Sequence, residues 1–153
     1  MSRPAGAALR FCVRTFLLLF SMALLVGCQT RAAINDVMMP LQYIKSVVKT
    51  TMPQGVRSES TNGREYKSNF FSPDSFDEEA PEDGDRAYAV MKVLGASRPY
   101  QVDVQVFREK RLKHSFAKPT KDQVLTEELT DRVREALADR REDRNVIDDF
   151  RAF

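Results

Sequence analysis

Two long stretches around a short turn, residues 86–108, constrain this chain most. In Tyr100-Gln101-Val102-Asp103-Val104-Gln105-Val106-Phe107-Arg108, the three valines alternate with Gln101, Asp103 and Gln105. Successive side chains of a strand point to opposite faces, so this strand has one dry face and one wet face. Arg86 to Leu94 reads as its antiparallel partner, and Gly95-Ala96-Ser97-Arg98-Pro99 as the turn between them. A hairpin with one apolar face is marginal in water by itself; it requires further strands and a covering layer.

Two helical stripes supply that layer. Val37, Leu41, Ile44 and Val48 recur at spacings of four, three and four, which predicts a short helix over Met39–Thr51, with Pro40 in its first turn and Met52-Pro53 ending it. Thr120-Lys121-Asp122-Gln123 reads as a capping box. Beyond it, Leu125, Leu129, Val133, Ala136 and Leu137 mark one face, while Glu127, Glu128, Asp131, Arg134 and Glu135 mark the other. The helix is expected to end near residues 141–143, with an acidic-aromatic tail after it in which Phe150 and Phe153 pack onto the domain.

The remaining elements are weaker. Residues 54–71 read as a second hairpin, with Asn62-Gly63 as a type I′ turn and with Tyr66, Ser68 and Phe70 on one side of the returning arm. Residues 72–85 hold Pro73, Pro81 and Gly84 and seven acids without a base, the composition of a solvated loop. The expected fold class is therefore α+β: a two-layer sandwich of a four-stranded antiparallel sheet, made of two hairpins, with a short N-terminal helix and a longer C-terminal helix.

The N-terminal region carries a different signal. Arg3, Arg10 and Arg14 precede an apolar run from Thr15 to Val26, followed by Leu25-Val26-Gly27-Cys28 and polar Gln29-Thr30-Arg31. The run matches the ~7–15 apolar residues of a signal peptide and falls short of the ~20 that cross a bilayer. With small Gly27 directly before Cys28, the segment resembles a bacterial lipoprotein signal peptide closing in a lipobox. That resemblance implies recognition of Leu25, Val26 and Gly27 by the signal peptidase, removal of residues 1–27 and lipidation of Cys28. It also implies attachment to a membrane through that lipid, and Gln29 after the cysteine suggests the periplasmic face of the outer membrane. Residues 28–36 are then a tether and 37–153 a single domain.

The same processing changes the composition. The full chain has 24 basic and 22 acidic residues; the leader takes three arginines and no acid, leaving a net charge of −1. No global positive field then favours nucleic acid, and aromatic residues interleaved with the bases, as stacking on nucleic acid requires, are missing. Cys12 leaves with the leader and Cys28 is acylated, so the mature domain has no thiol for a disulfide, a zinc site or a nucleophile.

Catalytic patterns are sparse. His114 is the only histidine, follows a basic strand end and has no partner constellation, so it reads as a surface residue. The acidic run from Asp77 to Asp85 lacks EF-hand spacing, which leaves a solvated loop ahead of a calcium site or a dock for a basic partner. Arg108, Lys110, Arg111 and Lys113 cluster at the end of the long strand; their plain role is to keep a sheet edge from aggregating, and their sharper role is contact with anionic groups. The expectation is a protein without catalytic residues, metal or cofactor. It would be an envelope interaction or accessory module with a protein partner. The alternative is a periplasmic lipoprotein that binds a small ligand, or an anionic glycan or lipid, at that basic strand end.

Overall fold

The long hairpin forms with nearly the ends its sequence assigns. A computed structural model describes residues 32–149, with side chains as far as residue 141. Its elements are β1 (Ala33–Val37), α1 (Leu41–Thr50), β2 (Val56–Glu59), β3 (Glu65–Ser68), β4 (Phe71–Ser72), β5 (Ser75–Glu79), β6 (Arg86–Leu94), β7 (Tyr100–Glu109), β8 (Thr120–Lys121) and α2 (Gln123–Asp149). The lipobox Leu25–Cys28, and Phe150 and Phe153, lie outside the described residues.

All pairings are antiparallel, and β6 and β7 pair over their full length from Arg86↔Glu109 to Leu94↔Gln101. Ala89↔Val106, Met91↔Val104 and Val93↔Val102 share one face, and all six are buried. The helices cover this face. Ile44, Val47 and Val48 of α1 and Leu125, Leu129, Val133 and Leu137 of α2 join one core with them. The class is thus α+β with a C-terminal helix, as the two stripes required.

Among the described residues the sheet has eight strands, however, where the two hairpins predict four. The additional strands, β1, β4, β5 and β8, are short; β1, β4 and β8 join the predicted β3 on the edges of the central pair, and β5 pairs with β4. On the outer edge of β7, β1 pairs at Tyr100–Asp103 and β8 at Phe107–Arg108. On the outer edge of β6, β3 pairs at Val90–Lys92 and β4 at Ala87. Segments of two to five residues show too little alternation to be seen in sequence; the open hydrogen-bonding edge of a longer neighbour recruits them. So residues 33–36 of the expected tether belong to β1, and the expected acidic loop 72–85 contains β5, which pairs with β4. Phe76 of β5 is buried against Phe71, which draws an acid-flanked segment onto the core.

Several boundaries move for local reasons. α1 starts at Leu41, not Met39, because Pro40 holds an extended conformation (φ −58°, ψ 142°) and disfavours helix in the residue before it. The Asn62-Gly63 turn is not type I′: only Gly63 has positive φ, within a longer connection pinned by Ser60 and Asn62. Asp122 caps α2 through Leu125 N–H (3.2 Å), because Thr120 is held in β8 and the Gln123 amide donates forward to Glu127. α2 continues to Asp149, beyond the stripe that predicted its end. Finally, Phe70 leaves the face of Tyr66 and Ser68, because β3 ends at Ser68 and the chain re-registers before Phe71.

Candidate interaction surface

Among the described residues, no helix covers the second face of the sheet, and its side chains come from the wet positions of the hairpin. Tyr88 and Phe107 are cross-strand partners and stack with centroids 5.4 Å apart and planes 22° apart. Phe70 meets Tyr88 edge-on at 5.9 Å. A β-bulge adds Arg57 to this face: Val56 pairs with Ser68 and Ser58 with Lys67, so Arg57 is the extra residue. Its guanidinium lies 4.3 Å from the Phe70 centroid and 5.6 Å from that of Tyr88.

Arg86 extends the stack. Its guanidinium lies 3.8 Å from Phe70 on one side and 3.6 Å from Phe116 on the other, and Arg111 sits 4.9 Å from Phe116. Phe116 is delivered by a small hairpin beyond β7, in which Ala117 N–H donates to Lys110 O (2.9 Å) and Leu112 N–H to Ser115 O (2.8 Å). Guanidiniums and rings therefore alternate as Arg57, Phe70, Arg86, Phe116 and Arg111. In each contact the ring quadrupole attracts the guanidinium, a planar, weakly hydrated cation better suited to a ring face than an ammonium.

Electrostatics fix the centre of this ladder. Arg86 Nε donates to Glu109 Oε2 at 2.7 Å, and the Glu109 side chain is only 12% exposed. Burial, followed by the Glu109 carboxylate, pushes the Tyr88 phenol above its ordinary 10.0, with Arg57 opposing. Arg57 has no ion-pair partner among the described residues. A depression of about 440 Å³ opens beside Arg86 and Phe116, bounded by Gln54, Asn69, Glu79 and Glu82.

The basic residues singled out in the sequence do not form one site. Arg108 faces the helix layer, with Nε 3.0 Å from Asp122 Oδ2 but not aligned for a hydrogen bond. Strand alternation puts it on the opposite face from Phe107, which the sequence cluster could not convey. Arg111 ends the ladder, and its backbone N–H donates to Asp85 Oδ1 at 2.8 Å. Lys110 and Lys113 are exposed, as is His114. The acidic run is partly engaged locally: Asp77 lies 3.8 Å from Arg132, and Asp83 lies 3.8 Å from Arg111. Among the described residues, no three His, Cys, Asp or Glu side chains converge on a common point.

Sequence reasoning missed Arg57, Phe70, Arg86 and Phe116. The available signal was the pair Tyr88 and Phe107, large aromatics at wet positions of a strongly predicted hairpin. No local pattern points to Arg57 or Phe116, which reach the surface through a bulge and a hairpin. Comparison of the chain with family models, with curated proteins and with solved structures gives no match. Among the described residues, no helix is long and apolar enough to cross a membrane.

Proposed function

We propose that this chain is a lipid-anchored envelope protein that acts as a non-enzymatic docking module, held through Cys28 at the periplasmic face of the outer membrane. The arginine–aromatic ladder carries this reading. Arginine and aromatic side chains dominate the energetics of protein interfaces, because they offer large area and several donors for little lost freedom. Here the guanidiniums are already held against rings, so binding costs less ordering than it would for free arginines. Arg57 supports the reading further: it is exposed, planar and without a counter-charge among the described residues.

The partner this face favours has carboxylates for Arg57 and Arg111, which lie at the two ends of the ladder. The test is detergent extraction of the lipidated protein followed by quantitative co-purification. A stoichiometric partner is expected with the wild type and with the control Glu135→Ala. At least a tenfold loss is expected with Arg57→Ala. A partner retained equally by Arg57→Ala and Arg111→Ala would remove the ladder from the reading.

A further inference from the structure

We infer that the end of the domain formed by residues 110–124 rests on the anionic headgroups of the bilayer that holds the chain. The inference rests on the lipid-anchor reading of Cys28 and adds the surface that meets the membrane.

The geometry begins where the chain joins the sheet. Ala32 O accepts from Val104 N–H at 3.1 Å, and Ala33 pairs with Asp103. On the same edge of β7, Lys121 of β8 pairs with Phe107. The start of β1 and β8 are thus separated by about three residues of strand, or ~10 Å. Because β1 is antiparallel to β7, its first residue is turned towards β8. Cys28 precedes Ala32 by four residues, and four residues reach at most ~14 Å. So short a connection keeps Ala32 within about 14 Å of an acylated bilayer surface, and the end beside β8 is the one turned towards it.

That end has the chemistry a bilayer surface recognises. Residues 110–124 hold Lys110, Arg111, Lys113, Lys118 and Lys121 against one acid, Asp122, which pairs with Arg108; Asp83 and Asp85 are engaged by Arg111. All four lysines are exposed, and none forms an ion pair among the described residues. Leu112 at the tip of the small hairpin is 50% exposed, and Val124 in the first turn of α2 is 75% exposed. Lysines that reach phosphates while apolar neighbours press into the headgroup boundary are the pattern of interfacial binding. At the opposite end, the turn 94–99 holds a single cation, Arg98, and Arg64 is tied down there by donating to Gly95 O. Each lysine brought to an anionic surface contributes roughly fivefold to partitioning, so four supply roughly 600-fold.

The experiment uses the lipidated, processed protein in vesicles containing a headgroup-attached quencher. Its only cysteine is acylated, so Ser115→Cys and Ser97→Cys each introduce a single site for a fluorophore, at opposite ends of the sheet. In phosphatidylglycerol-containing vesicles, quenching at position 115 is expected to exceed that at 97 at least threefold. It should fall towards the position 97 level in high salt, or when Lys110, Lys113, Lys118 and Lys121 are replaced by glutamate. Equal quenching at the two positions in protein that floats with the vesicles overturns the proposed orientation. A contrast that is unchanged by salt, charge reversal and neutral phosphatidylcholine overturns the anionic-headgroup assignment. Protein that does not float overturns the anchor reading, and this proposal with it.

Discussion

Ala89 and Val106 face each other across the central hairpin, and the outward amide of each donates to a buried hydroxyl from another element. Ala89 N–H reaches Ser68 Oγ at 2.8 Å, and Val106 N–H reaches Thr126 Oγ1 at 3.0 Å. Each hydroxyl fills a gap on an edge of the central pair, Ser68 where β3 gives way to β4 and Thr126 between β1 and β8. The Asp122 amide completes the second gap by donating to Val106 O at 2.9 Å.

Thr126→Val keeps the side-chain shape but leaves the Val106 amide without an acceptor. A loss of about 1–3 kcal/mol in urea unfolding is expected, with Thr126→Ser retaining most of the stability. Ser68→Ala should cost a similar amount. The two sites lie on opposite edges, ~14 Å apart across three strand spacings, so their effects should add within about 0.5 kcal/mol. Strong non-additivity would show that the gaps communicate through the hairpin.

Tyr66 predicts an alkaline weakness. It is fully buried, and its hydroxyl donates to Gly63 O at 2.6 Å. Burial first, and the Glu59 carboxylate second, push its pKa up from 10.0 to about 12. A raised pKa means the folded state holds the proton more tightly than the unfolded state. The resulting stability is complete below about pH 10 and is lost as pH rises towards 12, about 2–3 kcal/mol in all. Unfolding midpoints between pH 8 and 12 should therefore converge for the wild type and Tyr66→Phe. A constant difference would exclude the phenol as the titrating group.

Met91 separates the two faces of the sheet. It is fully buried between its cross-strand partners Tyr66 and Val104. Met91→Ala is expected to cost about 2–5 kcal/mol by leaving a cavity. Its neighbour Lys92 points the other way and pairs with Glu65 at 3.0 Å, with both side chains substantially exposed. Lys92→Ala should change stability by about 0.5 kcal/mol or less. Similar costs at both positions would contradict the register of β6.

The ladder can be tested through Tyr88. Arg57 draws its pKa down while Glu109 raises it. Arg57→Ala should therefore shift the Tyr88 titration further up, and Glu109→Gln should bring it back towards 10.0, both read by residue-resolved NMR. Shifts of the opposite sign would mean that Arg57 does not lie over this face in solution.

The sequence exposes those parts of the fold whose periodicity runs long enough to be recognised. β6 and β7 are nine and ten residues long, so their alternation was plain; the apolar positions repeat over more than three turns in α2 but only about two in α1, because Val37, the first of the expected stripe, lies in β1. Thr120–Lys121 and Phe71–Ser72 are two-residue strands whose conformation is imposed by the open edges of β7 and β6. The candidate surface was less legible still. Arg108 and Arg111 are close in sequence, yet one pairs with Asp122 beside the helix layer and the other stacks on Phe116. Arg57 reaches this face through the bulge in β2, and Phe70 through the break between β3 and β4, so neither is visible in a local window.

By itself, then, the sequence determined the α+β class, the central hairpin, both helices and the dry face they share, because these follow from local periodicity and the need to bury apolar stripes. Only the tertiary structure decided the eight-stranded sheet, the two hydroxyl-filled gaps and the arginine–aromatic ladder. Each of these depends on where a backbone edge is left open, or on which face a bulge presents. Both are consequences of pairing between distant segments, which no local window of residues contains.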